Sequence, residues 1–97
     1  MRIITAARIK DFYYTHTDSK TALEVWMAKI KEIDIQSLND LKQIANSVDI
    51  IGNHRVIFDI KGNKYRIITV VLVYRQIVYI RWIGTHAEYD KIDAYIV

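Results

Sequence analysis

One short segment near the end of the chain, Thr85-His86-Ala87-Glu88-Tyr89-Asp90, groups a histidine with two carboxylates. A threonine followed three residues later by a glutamate is the spacing of a capping box, which predicts that a helix begins at Thr85. The free N–H groups and the positive dipole end of such a helix suit a phosphate. Histidine titrates near neutral pH, so His86 would stand beside that anion as a general acid or base. The alternative is that Thr85 and Glu88 only cap the helix.

Two arginines interrupt runs of residues that are otherwise apolar. Arg66 and Arg81 lie on predicted strands that should be neighbours or next neighbours in a sheet. A guanidinium group on a central strand is costly to bury unless it is paired or faces a cleft. We therefore expect the two groups either to converge on a phosphate or to form an ion pair with Asp59, Glu88 or Asp90.

Further basic residues flank a predicted hairpin turn at residues 61–64. Arg55, Lys61 and Lys64 are candidates for binding phosphate groups, and Asn63, a further candidate, lies at the tip between the two lysines. A solvated hairpin tip explains the same residues equally well. The net charge is +3, and the whole excess lies in residues 54–97, which carry seven basic and four acidic side chains. This asymmetry is typical of a protein with an anionic partner.

Several kinds of site are excluded or disfavoured by the composition. The chain has no cysteine, which excludes disulfides, cysteine-ligated metals and thiol chemistry. Its three histidines, at positions 16, 54 and 86, match no metal-binding spacing, so we expect neither a metal nor another cofactor. The sequence also lacks a glycine-rich phosphate loop and a Ser-His-Asp order.

The elements that hold these residues follow from hydrophobic periodicity. Helices are predicted at residues 6–14, 19–33, 38–45 and 85–95, the first of them N-capped by Thr5. Strands are predicted at residues 55–60, 65–74 and 77–83. The expected fold is α+β, in one domain over residues 1–97: N-terminal helices pack on a small antiparallel sheet that is followed by a C-terminal helix.

The longest apolar run, Ile67 to Tyr74, is too short to span a membrane as a helix. No secretory signal is visible at the N-terminus, so we expect a cytoplasmic protein without membrane contact.

The motif residues form two groups about twenty residues apart. The first is Phe58-Asp59-Ile60-Lys61-Gly62-Asn63-Lys64-Tyr65-Arg66, and the second runs from Tyr79 through Thr85-His86-Ala87-Glu88-Tyr89-Asp90. Together they resemble the HigB toxin family of bacterial type II toxin–antitoxin systems. The similarity is close over residues 53–93 and looser over the N-terminal helices.

The resemblance implies a RelE-like fold and an mRNA interferase, an endoribonuclease that cuts mRNA during translation on the ribosome. It also implies a cognate antitoxin of the HigA type, whose helix-turn-helix represses the shared operon. The toxin would therefore meet operator DNA only through the antitoxin. The family motif carries over to Arg66, Thr85, His86, Glu88, Tyr89 and Asp90, and Arg81 also fits.

RNA cleavage without a metal uses the 2′-hydroxyl as the nucleophile and requires charge neutralisation and proton transfer. Arg66 and Arg81 would supply the positive charge, and His86 would act as the acid or base. Glu88 or Asp90 is the alternative base, and Tyr89 would stack on or orient a nucleobase. Two other classes stay open, a non-catalytic RNA- or ribosome-binding module and a purely protein-binding domain.

Overall fold

The computed structural model describes residues 1–44 and 47–97. The strands and α-helices of this part of the chain are β1 (Arg2–Ile4), α1 (Ala7–Thr15), α2 (Lys20–Glu32), β2 (Val48–Ile50), β3 (Arg55–Ile60), β4 (Tyr65–Leu72), β5 (Ile77–Thr85) and α3 (His86–Tyr89). Short 3₁₀ helices lie at Thr17–Ser19, Leu38–Gln43 and Val73–Arg75. No helix in the described ranges is long and apolar enough to cross a membrane.

The strands form one five-stranded mixed sheet in the order β1-β5-β4-β3-β2. The neighbours are antiparallel except at one edge, where β1 pairs with β5 in parallel. In the centre, Asp59 on β3 lies opposite Arg66 on β4, and Arg66 lies opposite Gly84 on β5. The register therefore brings the start of β4 next to the end of β5, where the sequence motifs meet.

The two faces of the sheet are covered differently. The first face packs against α1 and α2 and holds the main core, with Ile9, Leu23 and Phe58 fully buried. Trp26 of α2 meets Phe58 edge to face at 5.1 Å between ring centroids. On the second face a smaller cluster, Ile57, Ile68 and Ala94, is covered by α3 and the residues after it. We call these surfaces the helical face and the second face.

The α+β class and the main elements predicted from the sequence are confirmed. Three predicted strands and the two long helices are present within one to two residues of their predicted bounds. The two edge strands were missed because three residues are too few to show a period of two. Since β1 runs parallel to β5, the sheet is mixed rather than antiparallel.

Three details of the helix predictions are wrong. Thr5 is not an N-cap, because it has a φ of 65° and its hydroxyl donates to the carbonyl of Ile80 at 3.0 Å. The segment after Ser37 is a 3₁₀ helix over Leu38–Gln43, and the predicted end of that helix at residue 45 lies outside the described residues. The last helix stops at Tyr89, because the residues beyond it pack against the second face in turns.

Candidate active site

The capping box predicted at the start of α3 is confirmed. The hydroxyl of Thr85 accepts from the Glu88 N–H at 3.1 Å, and the Glu88 carboxylate accepts from the Thr85 N–H at 2.8 Å. This second bond, from the backbone of Thr85, holds the pKa of Glu88 below its ordinary value. The N–H of His86 donates to the carbonyl of Lys64 at 3.0 Å, which ties α3 to the β3–β4 hairpin. With a single turn, α3 aligns few peptide dipoles, so it adds little to phosphate binding.

Arg66 points onto the second face, where it meets an acid and an aromatic ring. Its Nε lies 2.9 Å from Asp59 Oδ1, and the two side chains are 18% and 10% exposed. Although the atoms are close, the Nε–H is not directed at the carboxylate and has no hydrogen-bond acceptor among the described residues. The guanidinium carbon stacks 4.5 Å from the centroid of the Tyr89 ring. Of the two expectations for Arg66, the ion pair with Asp59 is confirmed.

His86 and Asp90 form a second side-chain pair, one turn apart at the start and the C-cap of α3. Nδ1 of His86 lies 3.5 Å from Asp90 Oδ2, and both side chains are well exposed, at 40% and 64%. The Tyr89 ring lies 6.5 Å from the imidazole and 6.2 Å from the Trp82 indole, measured between centroids. Arg66, His86, Tyr89 and Asp90 thus form one cluster at the end of the second face, which we call the α3 cluster.

The two lysines of the hairpin pair with Asp18, a residue that the sequence analysis did not single out. Lys61 and Lys64 both form ion pairs with Asp18, and the Tyr65 hydroxyl donates to the other oxygen of the same carboxylate at 2.5 Å. These bonds, led by that from Lys64, lower the pKa of Asp18, and the same carboxylate raises the pKa values of Lys64 and Tyr65. Asn63 is exposed at the tip. No sequence signal marks Asp18, since its partners lie more than forty residues away.

His16, which the sequence analysis weighed only as a metal ligand, packs against two aromatic rings. Its imidazole stacks on Phe12 at 4.0 Å, with the two planes 3° apart, and meets the Tyr65 ring edge-on at 5.7 Å. Tyr65 is the register partner of Thr85, so the end of α1 lies beside the start of α3. In the sequence His16 stands alone, without a partner at a functional spacing.

The structure does not bring Arg81 and Arg55 into the α3 cluster. Arg66 pairs with Gly84, so Arg81 lies three positions further along β5, roughly 10 Å away. Arg81 Nε and Arg55 Nη2 both donate to the carbonyl oxygen of Val97, at 3.4 and 2.7 Å. The expected convergence of Arg66 and Arg81 is therefore wrong. Arg55 does not flank the hairpin either, because it lies at the opposite end of β3.

Comparison with known proteins decides the family. Residues 19–92 match the sequence profile of the HigB toxins, described as the RelE-like toxic component of a toxin–antitoxin system. The protein belongs to the HigB toxin family. The mRNA interferase toxin HigB of Escherichia coli K12 is 31% identical over 97% of this chain and 92% of its own length, and the mRNA interferase HigB of Shigella flexneri gives the same values. A third relative, the mRNA interferase HigB of Escherichia coli O6:H1, is 26% identical over 98% of this chain and 94% of its own length.

The matched region contains β3, β4, β5 and α3, so it includes the α3 cluster and the hairpin. The resemblance stated from the two motifs is thereby confirmed. As a HigB toxin, this chain has a cognate antitoxin as its partner. The roles of the individual site residues stay predictions.

Proposed function

We propose that this HigB toxin is an endoribonuclease that cleaves mRNA on the ribosome, without a metal ion, by attack of a 2′-hydroxyl on the adjacent phosphate. The relatives named mRNA interferase support the substrate and the activity. The observation that carries the proposal is the α3 cluster itself. It joins a guanidinium paired with Asp59, an aromatic ring stacked on that guanidinium and a His–Asp pair at the end of one sheet face.

Arg66 neutralises the phosphorane that forms when the 2′-hydroxyl attacks. A guanidinium has five N–H donors in a fixed fork, and the Asp59 carboxylate lies beside Nε. Stacking on Tyr89 and pairing with Asp59 fix the plane of the group before the substrate arrives. Such preorganised positive charge stabilises the transition state without reorganisation.

His86 transfers the proton, and Asp90 orients the imidazole ring of His86. Nδ1 of His86 faces the Asp90 carboxylate, which leaves the other ring nitrogen for the RNA. Glu88 is engaged in the capping box, so the acid–base work falls to His86 and Asp90 rather than to Glu88. The products expected from this chemistry carry a 5′-hydroxyl on one fragment and a 2′,3′-cyclic phosphate or 3′-phosphate on the other.

Lys61, Asn63 and Lys64 bind phosphates on either side of the cut. In the free protein the lysines are paired with Asp18, which holds the hairpin against the turn after α1. Each lysine that reaches a phosphate releases counterions, so RNA binding should weaken steeply as salt rises.

The partner we propose is an antitoxin of the HigA type, which carries a helix-turn-helix and links the toxin to operator DNA. Since translating ribosomes are in the cytoplasm, we propose that the toxin acts there. Expression of this chain alone should arrest growth, and co-expression of the antitoxin encoded beside it should relieve the arrest. Normal growth at high soluble expression would contradict the proposal.

The decisive experiment is a purified translation reaction with one defined mRNA, run with and without ribosomes and with a chelator. We expect fragments with 5′-hydroxyl ends that form only during translation and persist in the chelator. Equal cutting of free RNA would contradict the ribosome requirement, and loss of cutting in the chelator would contradict metal independence. Binding to ribosomes without any cutting would favour the non-catalytic module.

A further inference from the structure

The indole of Trp82, on β5 beside the α3 cluster, packs unusually close to the backbone. Its six-membered ring lies directly over Gly84, and a Cβ built on Gly84 would come within 2.5 Å of the indole atoms Cζ2 and Cη2. Contacts that short do not occur between real atoms, so the indole can occupy this position only while residue 84 lacks a side chain. The φ angle of Gly84 is not positive, so backbone conformation does not require a glycine here. The close approach of the indole to the backbone does require it.

The indole continues the line of planar groups that begins at Arg66. The guanidinium stacks on Tyr89, Tyr89 neighbours Trp82 at 6.2 Å, and Gly84 under the indole is the register partner of Arg66. One aromatic residue therefore separates the proposed phosphate-binding group from a partly exposed indole.

Trp82 also lines a shallow depression at the edge of β5, where residues of the two faces meet. It has a volume of about 410 Å³, with Trp82, Phe12 and Ile83 as apolar walls and Arg8 and Asp11 at the rim. Here β1 no longer covers β5, because β1 pairs only as far as Tyr79. The Arg8 guanidinium is fixed at this edge, since Nη1 donates to the carbonyl of Arg81 at 2.7 Å.

We propose, on the basis of the function proposed above, that Trp82 is a stacking platform for a nucleobase of single-stranded mRNA next to the cleaved phosphate. An apolar wall with a fixed cation at its rim matches a base that is linked to a phosphate. Stacking tolerates every base, because each has a π-face, so this contact positions the strand without reading its sequence. Trp82 contributes to binding and touches no reacting atom.

Fluorescence can follow this contact directly, because the chain has only two tryptophans. Trp26 is 4% exposed in the core of the helical face, and Trp82 is partly exposed. A Trp26→Phe variant therefore reports on Trp82 alone, and Trp82→Phe reports on Trp26 alone. Titration with a 2′-O-methyl RNA oligonucleotide, which lacks the attacking hydroxyl, should quench the first variant in a saturable way and leave the second unchanged.

Affinity gives a second, independent readout. Trp82→Leu should weaken binding of the same oligonucleotide by roughly 5- to 100-fold, which is the usual effect of losing one stacked base, whereas Trp82→Phe should stay within a few-fold. The slope of log affinity against log salt should not change in Trp82→Leu, because no phosphate contact is lost. As the matched control, Arg8→Gln should reduce that slope by about one.

Gly84→Ala tests whether the indole must lie over residue 84. The added methyl group should push the indole aside and reduce the quenching of Trp82, in a protein whose circular dichroism shows that it is folded. Cleavage of translated mRNA is measured in parallel. The protein could cleave mRNA and bind the oligonucleotide while its Trp82 emission stays unchanged and Trp82→Leu binds as tightly as wild type. That result would contradict the stacking platform and leave the proposed function standing. Absence of both cleavage and RNA binding overturns both.

Discussion

The two faces of the sheet are built from the same strands but use them differently. On β3, Phe58 and its neighbours at alternate positions face α2 and are fully buried, whereas Ile57 and Asp59 face the other way. The helical face is closed by two helices, and the second face is only partly covered by α3 and the turns after it. One side of β3 thus belongs to the main core, and the other side combines a small apolar cluster with a charged residue.

This division depends on the period of two in a strand. A slip of one residue in the β3–β4 register would turn one of the two strands over, burying either Asp59 or Arg66 beneath the helices. The ion pair between these two residues lies directly across the strands, so it also fixes the register that keeps them out of the core. This division predicts that changes on the second face affect mainly cleavage and that changes on the helical face affect mainly stability.

The largest expected effect is on catalysis, at His86. Loss of a general acid or base costs roughly 10²–10⁴-fold, so His86→Gln should lower the cleavage rate by that factor. Glutamine suits a helix, so the thermal midpoint should stay close to that of the wild type. Cleavage of translated mRNA and thermal unfolding are measured on the same preparation. A folded variant that cleaves within a few-fold of wild type would move the acid–base role to Asp90.

The counterpart on the helical face is Phe58→Ala. Phe58 is fully buried against Trp26, and truncating such a ring should lower the free energy of unfolding by about 3–5 kcal/mol. Urea unfolding measures the loss. Tyr14→Ala, at a position 78% exposed, is the control and should change stability by less than about 0.5 kcal/mol. Similar losses in the two variants would mean that the helical face is not the main core.

Arg66→Ala is expected to lower both cleavage and stability, because Arg66 belongs to the α3 cluster and also pairs with the nearly buried Asp59. Cleavage should fall roughly 10²–10³-fold, as for loss of a preorganised charge. Stability should also fall by about 1–3 kcal/mol, since Asp59 is left nearly buried without its cation.

The double variant Arg66→Ala with Asp59→Asn separates the two contributions. Removing the unpaired charge should restore much of the stability, while cleavage stays low. Recovery of cleavage together with stability would show that Arg66 acts only through the fold.

The sequence predicted the parts of the site that are local. The capping box of α3 is readable because its two partners are three residues apart, and the hairpin is readable from its turn residues. The pairing of Asp18 with the hairpin lysines was not predictable, because it depends on where α1 ends against β4. The separation of Arg66 from Arg81 was missed for a related reason, since it depends on an irregularity in the β4–β5 register between Ile68 and Thr69.

A smaller effect is expected at Asp18, on the helical side of the hairpin. The hydrogen bonds from Lys64 and Tyr65 lower its pKa in the folded protein, so the ionised form adds stability at pH values above the ordinary aspartate pKa of 3.8. That contribution is lost progressively as the pH falls below this value. The stability difference between wild type and Asp18→Asn should therefore be clear at pH 7 and shrink under strongly acidic conditions. A difference that does not depend on pH would contradict the charge argument.

The smallest effect is expected at Glu88, although it lies within the motif that suggests catalysis. Glutamine can replace glutamate at this position of a capping box, because its side-chain carbonyl also accepts from the Thr85 N–H. Glu88→Gln should therefore keep α3 in place and cleave within a few-fold of wild type. The pKa of Glu88 is lowered by the same bond, so the stabilising effect of its charge is present above the ordinary value of 4.5 and lost as the pH falls. Wild type and variant should consequently become more alike in stability at acidic pH. A folded Glu88→Gln that loses cleavage 100-fold or more would instead make Glu88 the general base, and the cap would then position a catalytic carboxylate.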